Sequence, residues 1–301
     1  MPHNLPSVSI VIPARSAAET LPATLRSAES QSYSGKIEII VAAADEETAR
    51  AATGAIVVDN PRGNTAAGLN LAITRSRGEV VVRCDAHAVL PPDYVDKAVA
   101  ILLATGAANV GGMQVPVGAT PWEKAIAAAM TSPFGAGDAR YRRGGEAGPA
   151  ETVYLGVFRR DALEEVGGFD ESFVRNQDYE LNHRLTSADE TVWFDPSLKV
   201  TYKPRGSLRA LSRQYWDYGK AKRQFARRHQ GSLRWRQVLP PLLVVGLVTS
   251  LMASIWLPWM LVPVVAYLVT MITAGFPSPR KTAALMTMHM AWGLGFLTGT
   301  A

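Results

Sequence analysis

The first 85 residues alternate between short, unbroken apolar runs and segments whose apolar residues recur at helical spacing. The runs are Ser7 to Ile12 (SVSIVI, halted by Pro13), Ile37 to Ala42 (IEIIVA), Ala55 to Asp59 (AIVVD) and Glu79 to Asp85. Between them, Ala18 to Ser30, Glu46 to Ala52 and Thr65 to Ser76 read as helices; Pro22 fits the first turn of one, and Leu69, Ala72 and Ile73 share a face of another. Strands apolar on both faces and separated by helices predict a mostly parallel sheet with helices on both faces. Ligands of such sheets sit beyond the carboxyl ends of the strands. Pro13-Ala14-Arg15, Ala43-Ala44-Asp45 and Asp85-Ala86-His87 all fall there.

The pattern changes in the last quarter of the chain. From Val238 to Pro279 there is no Asp, Glu, Lys, Arg or His. As helix this stretch is about 63 Å long at 1.5 Å per residue, and one bilayer crossing needs about 20 residues. It therefore predicts two spans, about 238–257 and 259–276, turning at Leu257-Pro258-Trp259. A third apolar segment, about 283–300, follows Arg280-Lys281 and is weakened by His289 and several glycines. A core helix of a water-soluble protein normally keeps a polar face, which these segments lack.

Charge is segregated too. Residues 203–237 hold eleven Lys or Arg against one acid, Asp217. With only Arg280 and Lys281 beyond them and +5 on the whole chain, residues 1–202 carry −7. The basic collar abuts a span, so it reads as a contact with anionic membrane lipid and not with nucleic acid. The positive-inside rule then places residues 1–202 on the cytoplasmic side of a multi-pass inner-membrane protein. Met1 to Pro6 is too short and polar for a signal peptide. The single cysteine, Cys84, suits a reducing compartment. The expected divisions are a globular domain at 1–202, an interfacial segment at 203–237 and a transmembrane region at 238–301.

Candidate chemistry concentrates in VVVRCDAHAVLPPDYV, Val80 to Val95. Strand alternation directs Asp85 and His87 the same way. A carboxylate oxygen and an imidazole nitrogen at that spacing can share one Mg²⁺ or Mn²⁺, whose remaining ligands come from diphosphate and water. Asp85 as a turn cap beside a surface histidine is the plainer reading, and the spacing leaves both open. Asp178 opens a predicted helix with Leu181 and Leu185 on its buried side, where the helix dipole favours an ionised carboxylate. Glu180 is a weaker candidate base, and Asp170-Glu171 reads as a loop cap after Gly167-Gly168. Phe134 to Pro149 holds five glycines and three arginines, as a linker or a mobile loop over phosphate does.

The succession SIVIPAR, IEIIVA, NPRGNTAAGLNLAI, GEVVVRCDAHA and GVFRRDALEEVGGFDESFVRNQDYELNHRL, over about residues 7–225, resembles glycosyltransferase family 2. The likeness is to its membrane-anchored bacterial exopolysaccharide members of the succinoglycan glucosyltransferase type. That resemblance implies a GT-A fold, Rossmann-like, and inverting transfer of a sugar from a nucleoside diphosphate. The acceptor would be a saccharide or a polyprenyl-linked molecule. It implies that Asp85 contacts the nucleotide sugar, that His87 binds a divalent metal, and that Asp178 is the catalytic base. Pro13, Arg15, Asp45 and Asn70 would lie on the nucleotide-sugar side. Arg213 to Gly219 stands where relatives carry Gln-X-X-Arg-Trp, which brings Arg213 and Gln214 to the diphosphate. The chain departs from the pattern at Ala43-Ala44, where the nucleobase acid usually stands, at Gln177, which replaces an acid, and at Asp217-Tyr218, which replaces Arg-Trp. The last departure transfers the diphosphate clamp to Lys220 or Arg223. Two other functions fit the same residues: transfer directly to polyprenyl phosphate, and a non-catalytic tethered scaffold. The scaffold draws on Ala43-Ala44 and Gln177 and is opposed by retention of Asp85, His87 and Asp178.

Overall fold

A computed structural model describes residues 5–299 of the chain. It divides into two compact units. One comprises residues 5–115 together with Gly144–Tyr202; the other comprises Pro116–Arg143 and residues 203–299. Tyr202 and Lys203 fall in different units, and residues 116–143 group with the C-terminal helices.

The first unit is built on an eight-stranded sheet. Its strands are β1 (Val8–Ala14), β2 (Ile37–Ala43), β3 (Ile56–Asp59), β4 (Val80–Arg83), β5 (Asn109–Pro116), β6 (Gly148–Pro149), β7 (Tyr154–Arg159) and β8 (Val192–Tyr202). The order is β3-β2-β1-β4-β7-β5-β8-β6. The four strands read from the apolar runs are parallel to one another. Beyond β4 the pairs β4–β7, β5–β7 and β6–β8 are antiparallel, so the sheet is mixed. Ile10, Val11 and Ile12 on β1 and Val80, Val81 and Val82 on β4 are buried, so consecutive residues, and with them both faces, are covered. The helices between begin where short polar side chains satisfy free N–H groups. Asp45 accepts from Thr48 N–H and Asn64 from Ala67 N–H. Gly106, at φ +66°, ends the Tyr94–Thr105 helix in the left-handed conformation that a side chain would oppose.

The expected strand through Asp85 stops at Arg83. Asp85 and His87 instead occupy a turn closed by Ala88 N–H to the Asp85 carbonyl at 2.8 Å, with Thr20 Oγ1 donating to the Ala86 carbonyl at 2.9 Å. Strand alternation therefore does not relate the two side chains. The chain turns because residue 85 begins a loop leading to Pro91-Pro92.

The second unit is helical. Leu208–Arg228 lies along Pro279–Thr298 at very close range: a Cβ on Gly219 would come 2.1 Å from the Trp292 carbonyl, and one on Gly295 2.3 Å from the Trp216 carbonyl. Among the described residues two helices, Trp235–Ala253 and Pro258–Gly275, are long and apolar enough to cross a bilayer. Little of their apolar surface is buried within the chain, whereas the core helices of a soluble protein hide theirs. The third expected segment differs. Its glycines are packing sites, and Ala284, Leu285, Met288 and Ala291 face neighbouring helices. In the basic collar, Arg227 and Arg228 are exposed, Lys222 is buried with its ammonium over the Phe225 ring, and Arg223 donates to the Phe296 and Leu297 carbonyls.

Strand β5 is interrupted by a register irregularity between Val110 and Gly112. A Cβ on Gly112 would stand 1.8 Å from the Leu198 carbonyl oxygen, which is backbone and cannot swing aside. Gly112→Ala is expected to destabilise the protein by about 1–3 kcal/mol or more, as overpacking does. Thermal unfolding of the detergent-solubilised chain measures this as a fall in Tm of several degrees.

Candidate functional site

The parallel strands converge on one edge, and what they place there is a charge cluster around Arg83. This residue ends β4, whose other three positions are valine. Its side chain is 7% exposed. Nη2 donates to Asp85 Oδ1 at 2.9 Å, and Nη1 donates to Asp178 Oδ1. A guanidinium this far from water is held at low cost only when its hydrogens meet carboxylates. Here two carboxylates meet it, from residues 95 positions apart in the case of Asp178.

Asp178 is fixed by its helix, Gln177–Ser187, which Asn176 launches from the left-handed conformation at φ +59°. Leu181 and Leu185 are fully buried. On the same helix Asn182 accepts from Asn109 Nδ2 at 2.7 Å and donates to Thr152 Oγ1 at 3.1 Å, tying the helix to β5. Glu180 is engaged on its own helix: its carboxylate is held by Arg184 at 2.7–2.8 Å, and Arg184 also donates to the Val166 and Gly168 carbonyls. Asp178 remains 34% exposed, open to an incoming group.

Asp85 is 20% exposed. Burial pushes its pKa up, but the Arg83 and His87 charges, the Arg83 hydrogen bond and the Arg175 charge together hold it below the usual carboxylate range. Cys84 lies between the two charged residues, fully buried, and its thiol pKa is raised by burial and by the Asp85 charge, with Arg83 opposing.

The other residues expected on the nucleotide side take several positions. Pro13 is the penultimate residue of β1, and Arg15, exposed beyond the strand, donates to the Gly63 carbonyl at 3.3 Å. Asp45 accepts from Ser16 N–H at 2.7 Å and from Thr48 N–H at 2.9 Å, and these bonds lower its pKa. Asn70 is a brace: its amide donates to the Phe169 carbonyl and Glu171 and accepts from Phe169 N–H, so both ends of the group face protein partners. Arg213, Gln214, Lys220 and Arg223 lie on Leu208–Arg228 in the second unit. There Arg213 is exposed and Gln214 is buried, donating to Tyr218 Oη at 2.9 Å. The glycine- and arginine-rich segment forms short helical pieces, and Arg142 from it donates to Tyr215 Oη at 2.8 Å. Arg83 itself escaped the sequence reading. The signal was present: a lone cation inside a run of valines, where a charge needs a partner.

The metal expectation meets a thin donor set. No group of three or more His, Cys, Asp or Glu side chains suited to a metal exists among the described residues. Asp85 keeps one oxygen clear of Arg83's hydrogen bond, and His87 is exposed in the adjoining turn. Two such ligands fit a hard cation that draws its other ligands from a diphosphate and water, and do not fit a closed protein cage.

Comparison with known proteins agrees with this architecture. Glycosyl transferase family 2 matches residues 9–167. The succinoglycan biosynthesis protein ExoA of Rhizobium meliloti (strain 1021) is 32% identical over 253 residues, 80% of this chain and 76% of that protein. Among solved structures, the mannosyltransferase PcManGT of Pyrobaculum calidifontis, in complex with GDP-Man and Mn²⁺, superposes with a TM-score of 0.65 at 19% identity, covering 100% of this chain and 89% of the other. TarS 1-349 of S. aureus gives 0.51 at 13% identity, covering 97% and 90%. These likenesses show the expected GT-A fold.

The buried thiol provides a direct test of the edge geometry. Cys84 should resist a soluble aromatic disulfide at pH 8 in the folded chain and react within minutes once the chain is unfolded, because only the exposed thiolate attacks. Rapid labelling of the folded protein, followed by absorbance, would show that the strand end carrying Arg83 and Asp85 is open.

Proposed function

The chain belongs to glycosyl transferase family 2 and is a glycosyltransferase; we propose that it is an inverting enzyme taking a sugar from a nucleoside-diphosphate-sugar to a polyprenyl-linked acceptor in polysaccharide synthesis. The observation that carries this reading is the meeting of Asp85 and Asp178 on one buried guanidinium at the carboxyl edge of parallel strands. Inverting transfer needs a base on one side of the anomeric carbon and positive charge on the other. Asp178 accepts the proton of the acceptor hydroxyl. The acceptor oxygen bonds to the anomeric carbon from the face opposite the leaving group, and the carbon–oxygen bond to phosphate breaks with its electron pair going to the diphosphate. Asp85 and His87 would hold Mn²⁺ or Mg²⁺, which when bound supplies positive charge to the leaving diphosphate. The relative's role in succinoglycan biosynthesis and the neighbour's complex with GDP-Man and Mn²⁺ support this reading.

Placement at the inner membrane, with the sheet unit on the cytoplasmic side, is part of the same proposal. It rests on the two apolar helices, on the exposed Arg227 and Arg228, and on the positive-inside rule. A lipid-linked acceptor suits a transferase anchored in this way.

The test is transfer or hydrolysis by the full chain in detergent or vesicles across a panel of nucleotide sugars. Asp178→Asn should leave nucleotide binding nearly intact and reduce turnover by about 10²–10⁴-fold, the usual worth of a general base. Turnover above about a tenth of wild type would remove Asp178 from that role.

His87 is tested through metal dependence. His87→Asp keeps a hard ligand and should retain metal-dependent transfer. His87→Ala removes one of two protein ligands and should raise the Mn²⁺ concentration for half-maximal activity by about tenfold or more. An alanine variant with the wild-type metal requirement would leave Asp85 as the only protein ligand.

A further inference from the structure

We propose that Arg83 is the positioning residue of this site: its guanidinium sets the spacing between the donor-side carboxylate Asp85 and the base Asp178, and it competes with a divalent cation for Asp85. The inference rests on the glycosyltransferase reading and goes past the family resemblance, which assigns nothing to residue 83.

Three observations carry it. First, the guanidinium is the direct physical link between the two acids, through separate nitrogens. Second, its side chain is 7% exposed, so water does not replace either contact, and Nε, also buried, has no hydrogen-bond partner among the described residues. The side chain thus has one way of satisfying its charge, through the two carboxylates. Third, each acid arrives on a fixed support. Asp85 is in the turn pinned by Thr20, and Asp178 is on the helix tied by Asn182 to Asn109 and Thr152. Arg83 is the piece that brings the two supports into register.

The consequence follows from charge. With Arg83 in place the cluster of one cation and two carboxylates carries a net −1, and Asp85 Oδ1 is occupied by a hydrogen bond. An incoming cation therefore finds one free Asp85 oxygen and His87, too few to bind tightly without a diphosphate. A site arranged so takes up its cation with the donor. Without Arg83, the two carboxylates would lose the cation that bridges them, with the Arg175 charge left to compensate Asp85 in part, and a bare divalent ion would be drawn in to replace the guanidinium. The base would at the same time lose the contact that orients it. Arg83 removal should thus strengthen metal binding and weaken transfer together. A residue that served only the stability of β4 would weaken both or change neither.

The experiment uses the full chain in detergent. Free Mn²⁺ is titrated and followed by its electron paramagnetic resonance signal with no nucleotide present; kcat and KM for the active nucleotide sugar are measured alongside. Arg83→Met, of similar length and uncharged, is expected to bind Mn²⁺ several-fold more tightly. It is expected to lose about tenfold or more in kcat with a smaller change in donor KM, the signature of a misplaced base. Combining it with Asp178→Asn should add little further loss, since both changes act through one group. Arg83→Lys keeps the charge but has one nitrogen, which reaches one carboxylate at a time, so its kcat should fall between those of wild type and Arg83→Met. A folded Arg83→Met with wild-type Mn²⁺ affinity and kcat overturns the proposal. So does Arg83→Lys with kcat within twofold of wild type, and if Arg83→Met does not fold, the lysine variant decides alone. Absence of any transfer by the wild-type chain would instead overturn the functional reading, and the Mn²⁺ titration would still report on Arg83.

Discussion

A cation at the end of a strand covered on both faces has to be neutralised where it stands, and this requirement organises the first unit. Arg83 follows Val80-Val81-Val82, all buried, and its own side chain is almost closed to water. Exposed ion pairs contribute little to stability, but breaking a buried one leaves an uncompensated charge and is costly. The fold must therefore deliver carboxylates to this point. One comes from the turn two residues on, and the other from a helix almost a hundred residues later. The loop that lets Asn176 adopt its left-handed conformation and the asparagine pair that ties the helix to β5 both serve that delivery. The proposed chemistry and the stability of the sheet rest on one cluster, so residues that hold the acids in place are also those that cannot be changed without cost to the fold.

The parallel half of the sheet could be read in advance because its strands are β-branched runs broken by proline, glycine and capping residues, and such signals are local. The antiparallel half could not. Tyr154 to Arg159 and Val192 to Tyr202 pair with β4, β5 and β6 through contacts that no nearby residue announces. The same limit explains residues 116–143. A capping box at Thr120 and Glu123 announces a helix, yet nothing in an amphipathic segment says which surface will cover its apolar face. That it packs with C-terminal helices is long-range information.

The site shows the same division. Asp85, His87 and Asp178 were readable as chemistry-bearing residues because of their residue types and the company of the surrounding motifs. Their relation was not, since the strand ends before Asp85 and the link between the acids passes through Arg83. Asn70 and Asp45 were expected on the nucleotide-sugar side, and both have polar atoms engaged within the protein, in a loop brace and in a helix cap. A side chain's type reports what it can bind; only its neighbours report what it has already bound.

The glycines of the second unit carry the remaining argument. In Ala283 to Ala301 they lower apparent hydrophobicity, which made the segment the weakest of three predicted spans. In the structure they are contact points. Gly293 and Gly295 stand where backbone of other helices passes, with a Cβ at Gly295 falling 2.3 Å from the Trp216 carbonyl. Small residues on a helix that others approach closely are a packing signal, in lipid as in water. The helix is therefore better understood as the support against which the amphipathic Leu208–Arg228 helix lies, with Arg223 binding the carbonyls at its carboxyl end. A basic helix held by glycine contacts to an apolar one keeps a fixed face. Exposed cations such as Arg227 and Arg228 then lie at defined positions, which a flexible basic tail could not provide.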